Sequence, residues 1–167
     1  MNQDLKTRTS IMALQHMMFE GIEKGHVEDV VSDTSLKHYF TPLDDDYGCS
    51  TYARELYMPK GMVVVGKLHK KPHLTFLMQG IVLVVSESGG KQVLKAPVTF
   101  VSPAGVKRVF YIKEDSILTT VHLTRETEEQ NLDKVENEVI SPTYEAMGLE
   151  EPDLSGLKRF LSKNKKE

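Results

Sequence analysis

The sequence predicts an all-β sandwich or barrel with helical segments before and after it. Three observations carry that prediction. Eight short runs of strand character follow one another between residues 50 and 124, the pattern of sandwiches and barrels. Turn residues punctuate them at Pro59-Lys60-Gly61, Gly89-Gly90, Pro103-Ala104-Gly105 and Glu114-Asp115. No helical stretch lies between them, which argues against a parallel α/β sheet.

Residues 1–25 read as a helix, because Ile11, Leu14, Met18 and Ile22 share one face. Thr9 or Ser10 can cap its start, and Gly25 can end it. Met12, Met17 and Met18 make the helix methionine-rich, which suits packing outside a barrel or binding a partner. Residues 26–48 read as a polar, acidic loop around Asp44, Asp45 and Asp46. That run lacks the alternating ligands and glycine turn of a calcium loop.

The expected strands are Thr51–Met58, Met62–His69, His73–Met78, Ile81–Ser86, Lys91–Leu94, Val98–Val101, Lys107–Ile112 and Ile117–Thr124. Beyond them, Glu126–Val139 reads as an acidic helix with Leu132, Val135 and Val139 on one face. Ser141-Pro142 opens a short turn that ends near Gly148. Leu154, Leu157, Phe160 and Leu161 form a last amphipathic turn ahead of the basic tail Lys163-Asn164-Lys165-Lys166. The expected division is 1–49 for the N-terminal helix and lead-in loop, 50–124 for the barrel, and 125–167 for the C-terminal helical segment and tail.

The chain of 167 residues, 40% hydrophobic and 27% charged, can bury one domain's core. A net charge of −3 supplies no basic surplus for nucleic acid and no acidic surplus for disorder. The longest apolar runs, Met62–Val65 and Ile81–Val85, are too short to cross a bilayer, so no membrane partner is expected. The opening MNQDLKTRTS lacks the pattern of a secretory signal. Cys49 is the sole cysteine and has no internal partner for a disulfide. A reducing cytoplasmic setting is therefore expected.

The segment that carries chemistry is GMVVVGKLHKKPHLTFLMQG, from Gly61 to Gly80. It delivers His69 and His73 on strands. It also fits a spaced frame of a glycine, five residues, His-x-His, three or four residues, a glutamate, six residues and a glycine. Gly61 and Gly80 hold the two glycine positions, Lys67 stands at the first histidine, His69 at the second, and His73 at the glutamate. A second frame runs glycine, five residues, Pro-x-Gly, two residues, histidine, three residues, asparagine. Pro103 and Gly105 match it, while Pro97, Arg108 and Ile112 replace the glycine, histidine and asparagine. With these motifs the chain resembles the cupin superfamily, and most closely the small cupin-like proteins of tailed-phage genomes. The resemblance covers about residues 50–124 and a flanking helix on each side.

The resemblance implies a single jelly-roll barrel, often a homodimer, with small-molecule ligands and a divalent transition metal such as Fe, Mn, Ni or Zn. If phage-encoded, its setting would be the host cytoplasm. Lys67 and His69 lie two apart and share a strand face, which the motif directs inward. His69 and His73 supply two imidazoles, and a catalytic centre typically needs three ligands. His122 is the candidate third. If the strands 107–112 and 117–124 form a hairpin, a two- or four-residue loop turns His122 outward and a three-residue loop with a bulge turns it inward. The more apolar set Ile117, Thr119, Val121 and Leu123 favours the first register as the buried face. A ligand pocket accommodates Thr120 and His122 in the second. Both stay open.

Lys67 and Arg108 would add two positive charges that favour an anion, Arg108 as its bidentate partner. Two pairs on the preceding strand are further candidates. Tyr52 shares a face with Arg54, and Tyr57 with Glu55, so either tyrosine could line the pocket. Three functions follow: a barrel binding a small anionic ligand or a metal, a metal-dependent oxygenase or isomerase, or a structural protein working through its methionine-rich helix.

Overall fold

A computed structural model describes residues 3–156. Its strands are β1 (Ser35–Phe40), β2 (Ser50–Met58), β3 (Val63–Val65), β4 (Leu68–His69), β5 (His73–Gln79), β6 (Ile81–Ser86), β7 (Gly90–Lys95), β8 (Val98–Ser102), β9 (Arg108–Ile112), β10 (Ser116–Thr124) and β11 (Ile140–Ser141). Helix α1 spans Gln3–Glu23 and α2 spans Leu132–Val139. Leu157, Phe160, Leu161 and the basic tail lie outside the described residues.

Every strand pair is antiparallel. One sheet runs β1-β2-β10-β5-β8, a second β3-β9-β6-β7, and a short ladder joins β11 to β4. The chain passes from one large sheet to the other between β2 and β3, β5 and β6, β7 and β8, β8 and β9, and β9 and β10, and returns by way of β4 between β3 and β5. These crossings make the architecture the cupin-like jelly roll with flanking helices. Met58, Leu77 and Leu118 from the first sheet meet Val82, Val84, Phe110 and Ile112 from the second in one buried core. Removing such side chains costs both transfer energy and a cavity, about 2–5 kcal/mol for Leu77→Ala.

Gly80 makes the β5–β6 crossing possible. Its φ of +87° suits glycine, and a Cβ there would fall 2.4 Å from the Asp115 carbonyl oxygen.

Four features differ from the sequence expectation. Residues 35–40, read as loop, form β1, which joins the first sheet and carries the barrel N-terminal of residue 50. The expected strand 62–69 breaks at Gly66-Lys67. There the Gly66 N–H bonds the Arg108 carbonyl, and the chain leaves the sheet so that β4 pairs with β11. Strands β9 and β10 form no hairpin, because they lie in different sheets. Finally, β10 buries Leu118, His122 and Thr124 and leaves Leu123 70% exposed, the reverse of the face that apolar parity favours.

The two helices attach differently. Arg8 of α1 donates to the Glu87 carboxylate from Nε and Nη2 at 3.0 and 2.9 Å. The Tyr144 hydroxyl donates to the other Glu87 oxygen, and Arg8 lies over the Tyr144 ring at 4.2 Å. This buried cluster fastens α1 and the C-terminal segment to the barrel. Helix α2 instead lies over the open end, with Val135 and Val139 buried beneath it. The Lys70 N–H bonds the Val139 carbonyl and anchors its C-terminal end.

Candidate metal and ligand site

The first sheet presents its inner face in rows set by the strand register. One row contains Phe40, Tyr52 and His122, with His73 opposite Ser102 on β5 and β8. The next row toward the core holds His38, Arg54, Thr120, Thr75 and Phe100. Below it lie Leu36, Leu56, Leu118, Leu77 and Val98. The barrel therefore grades from imidazoles through polar groups to hydrocarbon.

His69, His73 and His122 come together although they sit on β4, β5 and β10. Their ring centroids are 4.1 Å (His69–His73), 4.5 Å (His73–His122) and 4.9 Å (His69–His122) apart. One ring nitrogen from each lies within 4.8 Å of the other two. The register places His122 inward beside Tyr52, so its direction comes from pairing with β2 and not from a turn after β9.

The donor set suits a transition-metal ion. His73 donates Nδ1–H to the Lys71 carbonyl at 3.3 Å, since a carbonyl can only accept, and this leaves the Nε2 lone pair free. His69 Nδ1 is buried without a hydrogen-bond partner among the described residues, and a metal ion would satisfy such an atom. Burial first, then the neighbouring imidazoles and the Arg54 and Arg108 guanidiniums, push the His69 pKa down to about 3. Burial, with His73 and Arg54, takes His122 down to about 4. Burial also lowers that of His73. All three are thus neutral at neutral pH, as ligation requires.

A cavity of about 390 Å³ opens beside the cluster, lined by groups from both sheets and by Leu132, Val135, Glu136 and Val139 of α2. Tyr52 and Arg108 line it. Tyr52 is buried, and its hydroxyl stands 2.8 Å from His38 Nδ1. Burial raises the Tyr52 pKa and lowers that of His38, so at neutral pH the phenol donates to a neutral imidazole. Arg108 donates to the Ser102 hydroxyl and sits 5.5 Å from the Phe100 ring centroid.

Lys67 lines the cavity at its rim, where its exposed ammonium pairs with Glu136 of α2; the break at Gly66 takes it off the strand face it was expected to share with His69. Tyr57 lies on the outer face of β2, beside Asp115; burial first, and then the Asp115 carboxylate, raises its pKa. Glu55 shares that face and pairs with Lys37 at 3.2 Å. Of the two tyrosine pairs, Tyr52 with Arg54 lines the cavity. His38 also lines the cavity. Its place depends on β1, a strand whose solvent-exposed alternation gives little signal.

No protein-family model matches the chain, and no curated protein matches it. Among solved structures, KdgF from Halomonas sp. is similar at 20% identity and a TM-score of 0.45, over 62% of this chain and 90% of that one. A salicylate 1,2-dioxygenase from Pseudaminobacter salicylatoxidans is similar at 13% identity and a TM-score of 0.47, over 74% of this chain and 34% of that one. A recombinant oxalate oxidase in complex with glycolate is similar at 17% identity and a TM-score of 0.44, over 57% and 53% of the two chains.

Proposed function

We propose that this protein is a metal-dependent enzyme of small-molecule chemistry, an oxygenase or isomerase by class, whose divalent ion is held by His69, His73 and His122. The observation that carries the reading is the convergence of three neutral imidazoles from three strands, one of them with an orphaned buried nitrogen. Three histidines without a carboxylate leave the full charge of the ion for its ligand, and Fe, Mn, Ni and Zn all accept imidazole. When bound, the ion would supply Lewis-acid polarisation of a substrate oxygen and, if redox-active, electron transfer.

The chain's own groups then have distinct tasks. The cavity under α2 admits a small molecule and shields it from water. Tyr52, protonated and held by His38, is the proton-handling group beside His122. Arg108, already oriented by Ser102, adds positive charge to the wall and disposes the cavity toward anionic ligands. The resemblance also implies a homodimer, and the exposed Leu74, Val101 and Leu123 on the outer sheet face are surface that a second copy would cover.

Metal analysis of purified protein after reconstitution with Fe, Mn, Ni or Zn tests the reading. The expected result is one ion per chain, lost in the His69→Ala/His73→Ala variant. Substoichiometric metal that does not change in that variant would sink it. Light scattering of the same sample reads the oligomer mass.

A further inference from the structure

We infer that the row beneath the imidazoles is a carboxylate subsite, with Arg54 as its anchor and the hydroxyls of Thr120 and Thr75 beside it. The ligand is then a small organic acid whose carboxylate sits on Arg54 and whose second oxygen function, a hydroxyl or oxo group, reaches up to the histidine row. The inference rests on the reading of the cavity as a ligand site and assigns the substrate class.

The register carries the placement. Arg54 pairs with Thr120, and Thr120 with Thr75, so the three side chains lie side by side on the inner face, and all line the cavity. None of the three makes a side-chain hydrogen bond or ion pair among the described residues. The other arginines removed from solvent among the described residues are engaged: Arg8 of α1 with Glu87 and Arg108 with Ser102. Arg54 is half-buried and loses hydration without gaining a partner, a costly state for a charge. Besides the Tyr52 phenol, the acidic group whose charge acts on it is Glu136, whose carboxylate is held by Lys67 at the rim. A guanidinium fork flanked by two hydroxyls is a matched receptor for a planar carboxylate.

Position and size restrict the ligand further. The Arg54 and His122 rows are two residues apart on their strands, roughly 7 Å. A molecule touching both needs a body of only a few carbon atoms. The row beneath is entirely apolar, with Leu56 and Leu118, and Phe110 and Val135 also line the cavity. Below Arg54 the cavity therefore offers hydrocarbon and no second polar row.

Calorimetry with lactate, malate and 4-hydroxybenzoate, against lactamide and inorganic phosphate, tests this on chelator-treated and on zinc-loaded protein. At least one carboxylate is expected to bind both forms, more tightly with zinc, and Arg54→Met should weaken it about tenfold to a hundredfold, the worth of a charged hydrogen-bond pair. Arg108→Met should weaken it less, and lactamide and phosphate should bind poorly. Zinc stoichiometry in Arg54→Met should equal that of the parent, which separates this proposal from the metal assignment. Failure of zinc to bind overturns the metal reading alone, since the chelated protein still reports on Arg54. Ligand-free Arg54→Met should melt at or above the parent temperature, because it removes an uncompensated charge. No binding by any carboxylate, binding indifferent to Arg54, equal binding of phosphate, or a destabilised or unfolded Arg54→Met each overturns the proposal.

Discussion

Lys67 and Glu136 form an ion pair across the rim of the cavity, linking the bend after β3 to the helix that covers the barrel. Both side chains are more than half exposed, at 56% and 54%, so the pair adds little to stability. Glu136→Ala should change unfolding free energy by less than about 1 kcal/mol. Its effect should appear in access: zinc transfer to an excess of chelator, followed by stopped flow, should become several-fold faster. An unchanged rate would mean that α2 is not a barrier to exchange.

The buried imidazoles give the metal-free protein an acid-labile stability. His69 and His122 titrate near 3 and 4 in the folded state and near 6.5 when unfolded. Between those values the unfolded chain binds more protons, so stability is fully present above about pH 6.5 and falls as the pH drops toward 4. Melting temperatures of chelated protein across this range should trace that decline. A His69→Gln/His122→Asn variant should show a shallower slope, and an equal slope would assign the acid sensitivity to other groups.

Glu87 accepts from Arg8, Tyr144 and the Lys107 N–H in a buried setting. Arg8→Ala leaves that carboxylate without its counter-charge and should cost about 3–5 kcal/mol in urea unfolding. Tyr144→Phe removes only a hydrogen bond and should cost less, about 1–3 kcal/mol. The reverse order would mean that the phenol, not the ion pair, holds the cluster together.

Gly80→Ala should be among the most damaging single-methyl additions in the chain. The residue adopts a left-handed φ, and its Cβ would strike the Asp115 backbone, so a cost above about 1–2 kcal/mol is expected. Gly61→Ala provides the control. It shares a positive φ but meets nothing within 4 Å, so it should cost only the conformational part.

The sequence made the strands legible where burial alternates cleanly. Ile81–Ser86 matches β6 at both ends, and His73–Met78 falls one residue short of β5. It hid β1, because Ser35–Phe40 is an edge strand with mostly exposed residues. Adjacency in sequence suggested a β9–β10 hairpin, whereas these two strands lie in different sheets, and a short loop permits either. Parity failed on β10 for a physical reason: its inner face borders a polar cavity, so Thr120 and His122 point in while Leu123 points out. The same alternation grouped Tyr52 with Arg54, but only the pairing of β2 with β10 fixes which side is inside.

The pairing of β4 with β11 bears on the order of synthesis. His69 sits on a two-residue strand whose ladder partner is Ile140. While the chain is being translated, His73 and His122 can meet as soon as β5 and β10 have left the ribosome, but β4 has no strand to lean on until residues 140–141 follow. The last of the three imidazoles is therefore locked in place only once residues 140–141 have emerged. A chain cut between α2 and β11 would retain every strand of the two large sheets and lack the ladder partner of His69.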